Sequence, residues 1–334
     1  MVTDGDPEAT PTTEWRELLE VAVLAPSAHN SQPWRFALIP DGVEVYADRT
    51  RSLPVADPYD RELTISCGAA TGYLDVAARG HGIDTRVEVL PEPTDPDLLA
   101  RVRGVGPREP TSDERALYAA TQRRRTARQP FAPTPVDPDA VTALVATAET
   151  AGVHCTIVHP GDRRALADLV AEADAARQAD PALRRELAAW LRPNDAADDG
   201  IPGAALGLGD AASHLEPLLA RVLDRGDRTA AADRVLVAAS PLILVLATDV
   251  DRSPEWVTTG MALARTLLRA TALGLSASFL NAPVQVAQVR PRLAALTGLP
   301  ETFPQVVIRL GYGATPPPSP RRPVADVLAD RPVT

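Results

Sequence analysis

The chain has 334 residues with a hydrophobic share of 45%, enough for one large or two ordinary domains with a sizeable core. Its formal charge is −10 and its 34 cationic side chains are all arginine, which excludes a catalytic lysine or lysine Schiff base and argues against general nucleic-acid binding. No apolar run approaches the roughly 20 residues that span a bilayer, Cys67 and Cys155 lack metal or disulfide spacing, and no histidines pair at helical spacing. A cytoplasmic protein with no membrane segment and no metal is therefore expected.

In chain order, residues 1–13 read as an acidic, disordered tail, and residues 14–25 as a helix. The ten residues Ala25-Pro26-Ser27-Ala28-His29-Asn30-Ser31-Gln32-Pro33-Trp34 follow. Their two prolines fix the path of a loop crowded with small hydrogen-bonding side chains. It is either a plain helix-to-strand connection or a wall for a flat polar ligand. A strand is expected over 35–39, pairing with 43–47 across Pro40-Asp41-Gly42, then an irregular stretch to 63. A helix over 64–79 and a strand over 85–90 follow, and the prolines and acids of 91–97 close this first unit.

The second unit opens on Thr111-Ser112-Asp113-Glu114, a capping-box pattern that starts a helix running to about 124. Further helices are expected over 138–151, 166–192, 211–223 and 256–273. Strands are expected over 153–158, from about 242 to 248, over 277–280 and over 305–310. The glycine-rich stretch 193–210 has the composition of a loop or lid. The proline-rich end is an extended arm. A faint internal echo lays residues 68–91 over 260–283 without gaps, so that Gly68, Ala70, Ala78, Gly82 and Pro91 meet Gly260, Ala262, Ala270, Gly274 and Pro283. Both copies read helix, glycine stop, strand, proline, the pattern of two related α+β units fused as a pseudo-dimer.

The densest cationic cluster is Arg123-Arg124-Arg125-Thr126-Ala127-Arg128. Arginine forks bind phosphate oxygens bidentately, although such a run also suits the negative end of the preceding helix. A second cluster, Ser319-Pro320-Arg321-Arg322-Pro323, sits in the arm. Cys67 opens a helix without an adjacent base. Gly207-x-Gly209 lacks the third glycine of a dinucleotide fingerprint.

Taken together, the Pro26–Trp34 loop, Arg124-Arg125-Thr126-x-Arg128 and Arg309-x-Gly311-Tyr312 resemble the nitroreductase family of FMN proteins. Further stretches look like its fused, Acg-type branch. These are Asp48-Arg49-x-Arg51-x-Leu53 with Asp60-Arg61-Glu62-Leu63, Glu186-Leu187-x-x-Trp190-Leu191-Arg192, Asp199-Gly200-Ile201-Pro202 and the terminal arginine cluster. The resemblance implies an α+β, nitroreductase-like fold with mixed or antiparallel sheets flanked by helices. Its first half would cover 14–105, its second 112–315 with a lid-like insertion near 186–209, and its arm 316–334. It implies one complete FMN site and the loss of the symmetry-related one. Arg124, Arg125, Thr126, Arg128 and an arm arginine, Arg321 or Arg322, would hold the phosphate. Pro26, Ser27, Asn30 and Gln32 would meet the ring edge, Phe279, Asn281 and Ala282 would lie beside the reactive face, and Arg309 is counted among the cofactor-binding residues. No catalytic side chain is implied, since the flavin itself carries the hydride chemistry. The implied activity is transfer of hydride from NAD(P)H through FMN to a small organic acceptor. The alternatives are FMN storage or sequestration, and flavin as the substrate itself. Either a monomeric pseudo-dimer or a homodimer fits.

Overall fold

The computed structural model describes residues 12–150, 152–194, 197–222 and 226–329; the tail expected over 1–13 lies almost wholly outside them. The first half contains α1 (Thr12–Ala22), β1 (Trp34–Ile39), β2 (Gly42–Ala47), α2 (Arg61–Gly80), β3 (Ile83–Val89) and β4 (Leu98–Pro107). Then come α3 (Ser112–Thr121), α4 (Pro138–Ala148), β5 (His154–Ile157), α5 (Arg163–Ala179) and α6 (Pro181–Trp190). The short strands β6 (Leu191–Arg192) and β7 (Ile201–Pro202) lead to α7 (Asp210–Val222), α8 (Gly226–Ala238) and β8 (Leu242–Thr248). The chain ends through α9 (Ser253–Ala272), β9 (Ser276–Phe279), α10 (Ala282–Gln285), α11 (Arg290–Leu296), β10 (Phe303–Gly311) and α12 (Val324–Val327).

The two four-stranded sheets are wholly antiparallel and share one strand order. The first runs β1-β2-β4-β3 and the second β5-β8-β10-β9. In each, a 20-residue helix joins the second strand to the third: α2 in one half, α9 in the other. The fold is therefore α+β, with two related halves each built from an antiparallel sheet and flanking helices. α2 and α9 pack on each other more extensively than any other pair of elements. Their closest approach is made by Gly68 and Gly260, the two glycines of the sequence echo. A Cβ on Gly68 would lie 2.2 Å from the Val257 carbonyl oxygen, and one on Gly260 would lie 2.1 Å from that of Ile65. The contact is reciprocal, each glycine meeting the residue three places before the other, as a two-fold axis between the helices requires. The cores interlock accordingly: Val257, Ala264 and Leu268 of α9 join the first-half core, and Ile65 of α2 joins the second.

Several elements depart from the sequence expectation. β4 was not expected, because Gly104, Gly106 and Pro107 mask its alternation; Arg101 and Arg103 on one of its faces pair with Glu44 and Asp41. The helix expected over 166–192 is two helices, broken where Pro181 starts α6 and the Asp180 side chain accepts the Ala182 N–H. The expected capping box does form, Thr111 and Glu114 each accepting the other's backbone N–H. The helices α8 and α11 are two that no periodicity announced.

Candidate functional site

A cavity of about 570 Å³ opens between the halves, within the roughly 300–1,000 Å³ range of small-molecule and cofactor sites. Its walls come from the Pro26–Asn30 loop, α2, the arginine run, the segment after β9, the helices α5 and α8, and the C-terminal arm.

The arginine run is held against the free edge of the second sheet. Thr126 bridges Ala277 of β9 in parallel, and the Ala127 N–H donates to the Ala277 carbonyl at 2.9 Å. From beneath, the fully buried Arg309 donates to the carbonyls of Ala127 at 2.8 Å and Gln129 at 3.1 Å. Its guanidinium lies 4.4 Å from the Phe131 ring centroid. So fixed, Arg124, Arg125, Thr126 and Arg128 all line the cavity. Arg321 joins them from the arm, its guanidinium reaching the Leu24 carbonyl at 3.2 Å, where Arg124 also points. Arg124 is 5% exposed, yet its Nε has no acceptor, and the buried Nε of Arg321 has none either. Burial, with Arg124 alongside, pulls the Arg321 guanidinium down to about 9. Burial likewise lowers Arg128.

The loop on the opposite wall is unusual in its backbone. His29, Asn30 and Gln32 hold φ of 52°, 54° and 51°, a left-handed region costly for residues with a Cβ. Ser27 Oγ accepts the Gln32 N–H at 3.0 Å and Ser66 Oγ accepts that of Ala28 at 3.3 Å. The Asn30 amide is spent on the chain itself, donating to the carbonyls of Gly200 and Pro320 and accepting from Arg321. Gln32 donates to the Asp198 carbonyl and accepts the Arg322 N–H, each at 2.8 Å.

Eleven of the residues singled out from the sequence therefore meet in one cavity: Pro26, Ser27, Asn30, Arg124, Arg125, Thr126, Arg128, Phe279, Asn281, Ala282 and Arg321. Three do not line it. Gln32 ties the loop to its neighbours, Arg309 braces the arginine run, and Arg322 donates to the Gln32 and Asp326 carbonyls. Asn281 is divided: its side-chain oxygen accepts the Val307 N–H at 3.0 Å while the residue still borders the cavity.

The insertion packs onto the first half. Arg51 pairs with Asp199, which also takes Arg192, and both arginines stack on Trp190. Glu186 accepts the N–H groups of Val55 and Ala56 at 2.9 and 2.8 Å. Ile201 consequently enters the cavity wall.

Sequence reasoning missed a second set of polar residues. Glu62 of α2 accepts two bonds from Gln285, at 2.7 and 2.8 Å. Asp174 and Arg177 of α5, Asp233 of α8 and His29 of the loop also line the cavity. Burial, then a hydrogen bond to Asp233, pushes the Asp174 carboxyl up to about 8. Burial, then the charges of Arg177 and Arg128, pulls His29 down to about 4. His29 sits inside the loop motif and was legible there; the two aspartates look like ordinary charges on surface helices.

The sequence model of the nitroreductase family matches residues 6–59 and 121–312. The protein named "Putative NAD(P)H nitroreductase Rv3131" from Mycobacterium tuberculosis (strain ATCC 25618 / H37Rv) is 32% identical over 318 residues, spanning 94% of this chain and 90% of that protein. "Putative NAD(P)H nitroreductase acg" from the same strain is 30% identical over 333 residues, spanning 96% and 97%. Among solved structures, the FMN- and NADPH-dependent nitroreductase NfnB from sphigopyxis sp. strain HMH aligns over 64% of this chain and 97% of that one, at 19% identity and a TM-score of 0.44.

Proposed function

Because this chain belongs to the nitroreductase family, we propose that it is an oxidoreductase whose cavity holds FMN, taking hydride from NAD(P)H and delivering it to a small organic acceptor. The observation that carries this is the cationic end of the cavity. Arg124, Arg125 and Arg321 meet there, with Arg128 on the same cavity, and Arg124 and Arg321 keep buried Nε groups with no acceptor. A buried donor without a partner costs about 1–3 kcal/mol, which a dianionic phosphate offsets. Nothing about this donor set suits a cation.

In that reading Arg124, Arg125, Arg128 and Arg321 bind the phosphate, with the Thr126 hydroxyl beside them. Arg309 keeps the run in place by bonding its carbonyls. Pro26 and Ser27 border the ring edge, while Asn30 and Gln32 hold the loop to the insertion and arm. The N–H groups of Asn281 and Ala282 donate to no backbone carbonyl among the described residues and face the ring with Phe279. Bound FMN supplies the hydride chemistry; the protein supplies orientation and electrostatics.

A second reading, FMN storage with little or no turnover, is favoured by the insertion, which is hydrogen-bonded across the loop at Asp198 and Gly200. The two are separated by mixing FMN-loaded protein with NADH or NADPH without oxygen. Rapid bleaching of the yellow colour is expected for the oxidoreductase. A bound flavin that neither nicotinamide bleaches makes the protein a store. Protein that takes up no FMN overturns both.

A further inference from the structure

We infer that Glu62, at the start of α2, is a cofactor-binding residue, its carboxylate accepting the ring N3–H of FMN and so fixing the pyrimidine end of the ring away from the phosphate. The inference rests on the flavin reading of the cavity and adds a residue to it.

The cavity has two polar ends of opposite chemistry. The arginine run descends from α3, whose Tyr118 lies against Gly80 at the C-terminus of α2; a Cβ on Gly80 would lie 2.7 Å from that of Tyr118. Glu62 stands at the other terminus of the same helix. At the arginine end, buried donors on Arg124 and Arg321 have no acceptor. At the Glu62 end the converse holds. The Oε1 of Gln285 is buried with no donor, and both Gln285 and Glu62 line the cavity. A ligand matched to both ends is anionic at one and donates hydrogen bonds at the other.

Glu62 is held in place from behind. Its two carboxylate oxygens accept the Gln285 Nε2 at 2.7 and 2.8 Å, and Oε1 also accepts from Arg61 at 3.2 Å. Arg61 is anchored in turn on the Gln305 carbonyl at 2.8 Å and its Oε1 at 3.0 Å. Gln305 donates to the Thr248 hydroxyl and to Asp251, each at 2.9 Å. A carboxylate offers about four lone-pair sites, so these bonds leave one on Oε2. The Glu62 side chain is 9% exposed, in a residue that borders the cavity.

That vacant lone pair stands beside the ring segment. Gln285 closes α10, which opens at Ala282, so the residue that grips Glu62 is one turn beyond the N–H groups proposed to face the ring. The oxidised isoalloxazine has a single N–H donor, N3–H, with a carbonyl on either side. A carboxylate suits that donor, and the N–H groups of Asn281 and Ala282 suit a flanking carbonyl. A charge-assisted bond is roughly twice as strong as a neutral one. The same negative charge opposes the charge that the ring gains on reduction, so Glu62 favours oxidised over reduced FMN.

Titration with FMN and with 3-methyl-FMN, whose methyl group replaces the N3 hydrogen, tests the contact. The wild type is expected to bind the analogue at least about tenfold more weakly, and in Glu62→Ala the preference should shrink to within about twofold. A wild type that binds both flavins alike, or a Glu62→Ala variant that keeps the full preference, overturns the inference. Glu62→Gln preserves the volume and decides the matter if the alanine variant does not fold. The midpoint potential of its bound FMN is expected to rise as the charge is removed; a potential unchanged or lowered overturns the assignment. Protein that takes up neither flavin overturns the flavin reading itself, whereas uptake of FMN with the wrong preference removes Glu62 alone.

Discussion

Arg128 makes no hydrogen bond or ion pair among the described residues although it is deep enough for burial to lower its pKa; Arg309 of β10 instead spends both terminal guanidinium nitrogens on the run's carbonyls. The two should therefore fail differently. Arg128→Ala is expected to weaken FMN binding by roughly 1.5–3 kcal/mol, the range for a hydrogen bond to a charged group, with little change in thermal stability; unchanged affinity in a titration would remove it from the phosphate site. Arg309→Met should lower affinity and melting temperature together, because the carbonyls of Ala127 and Gln129 lose their donor. Asp174 gives a pH signature. Its carboxyl is raised from 3.8 to about 8 by burial and Asp233, so across that window the folded chain holds more protons than the unfolded one. Stability then falls as pH rises. Asp174→Asn has no such slope, and its melting temperature relative to wild type should climb between about pH 5 and pH 8. Residues of this kind divide by how they can be found in a sequence. Arg124 to Arg128 are dense enough to stand out, whereas Asp174 and Asp233 lie 59 positions apart on two helices and acquire meaning only when α5 meets α8.

At the scale of elements, the insertion is held by few but specific contacts: the Arg51–Asp199–Arg192 ion pairs, the Trp190 stack and the Asn30 and Gln32 amides. Asp199→Ala leaves two arginines beside Trp190 without their carboxylate. Amide exchange at residues 198–201 should then quicken while β1 and β2 stay protected; unchanged exchange at 198–201 would show that the amide bonds alone suffice. Here the sequence was partly readable. Composition marked 193–210 as a loop, but not that the loop carries a two-residue strand, β7, paired to β6. Likewise the apolar runs of β8 and β10 announced themselves, while β4, with arginines on one face and Gly104 and Gly106 in its length, did not. Its strand character comes from acidic partners on β2 and in the turn before it, which no local pattern reveals.

For the whole molecule, the α2–α9 contact sets the relation between halves. Gly68→Ala gains helix propensity of about 1 kcal/mol, yet its Cβ would meet the Val257 carbonyl, and rigid backbone cannot step aside as a side chain can. Overpacking of this kind costs about 1–3 kcal/mol. A lowered melting temperature is expected for Gly68→Ala and Gly260→Ala alike, and a double variant less destabilised than the sum, since separating the helices once relieves both clashes. A melting temperature unchanged in either would show that the helices have room to part. The echo of 68–91 in 260–283 carried this much of the architecture in advance, because the axis glycines must recur wherever two like helices touch at backbone distance.

That reciprocal glycine contact also bears on how such a chain can change. Between two identical subunits every substitution is made twice, and a helix added to one wall is added to both. Here the axis ties only Gly68 and Gly260 to common behaviour, while each half carries its own separately heritable text. One half could keep the shorter plan and the other acquire α5 to α8, so that a cavity wall was furnished on one side without a matching, obstructive copy on the other.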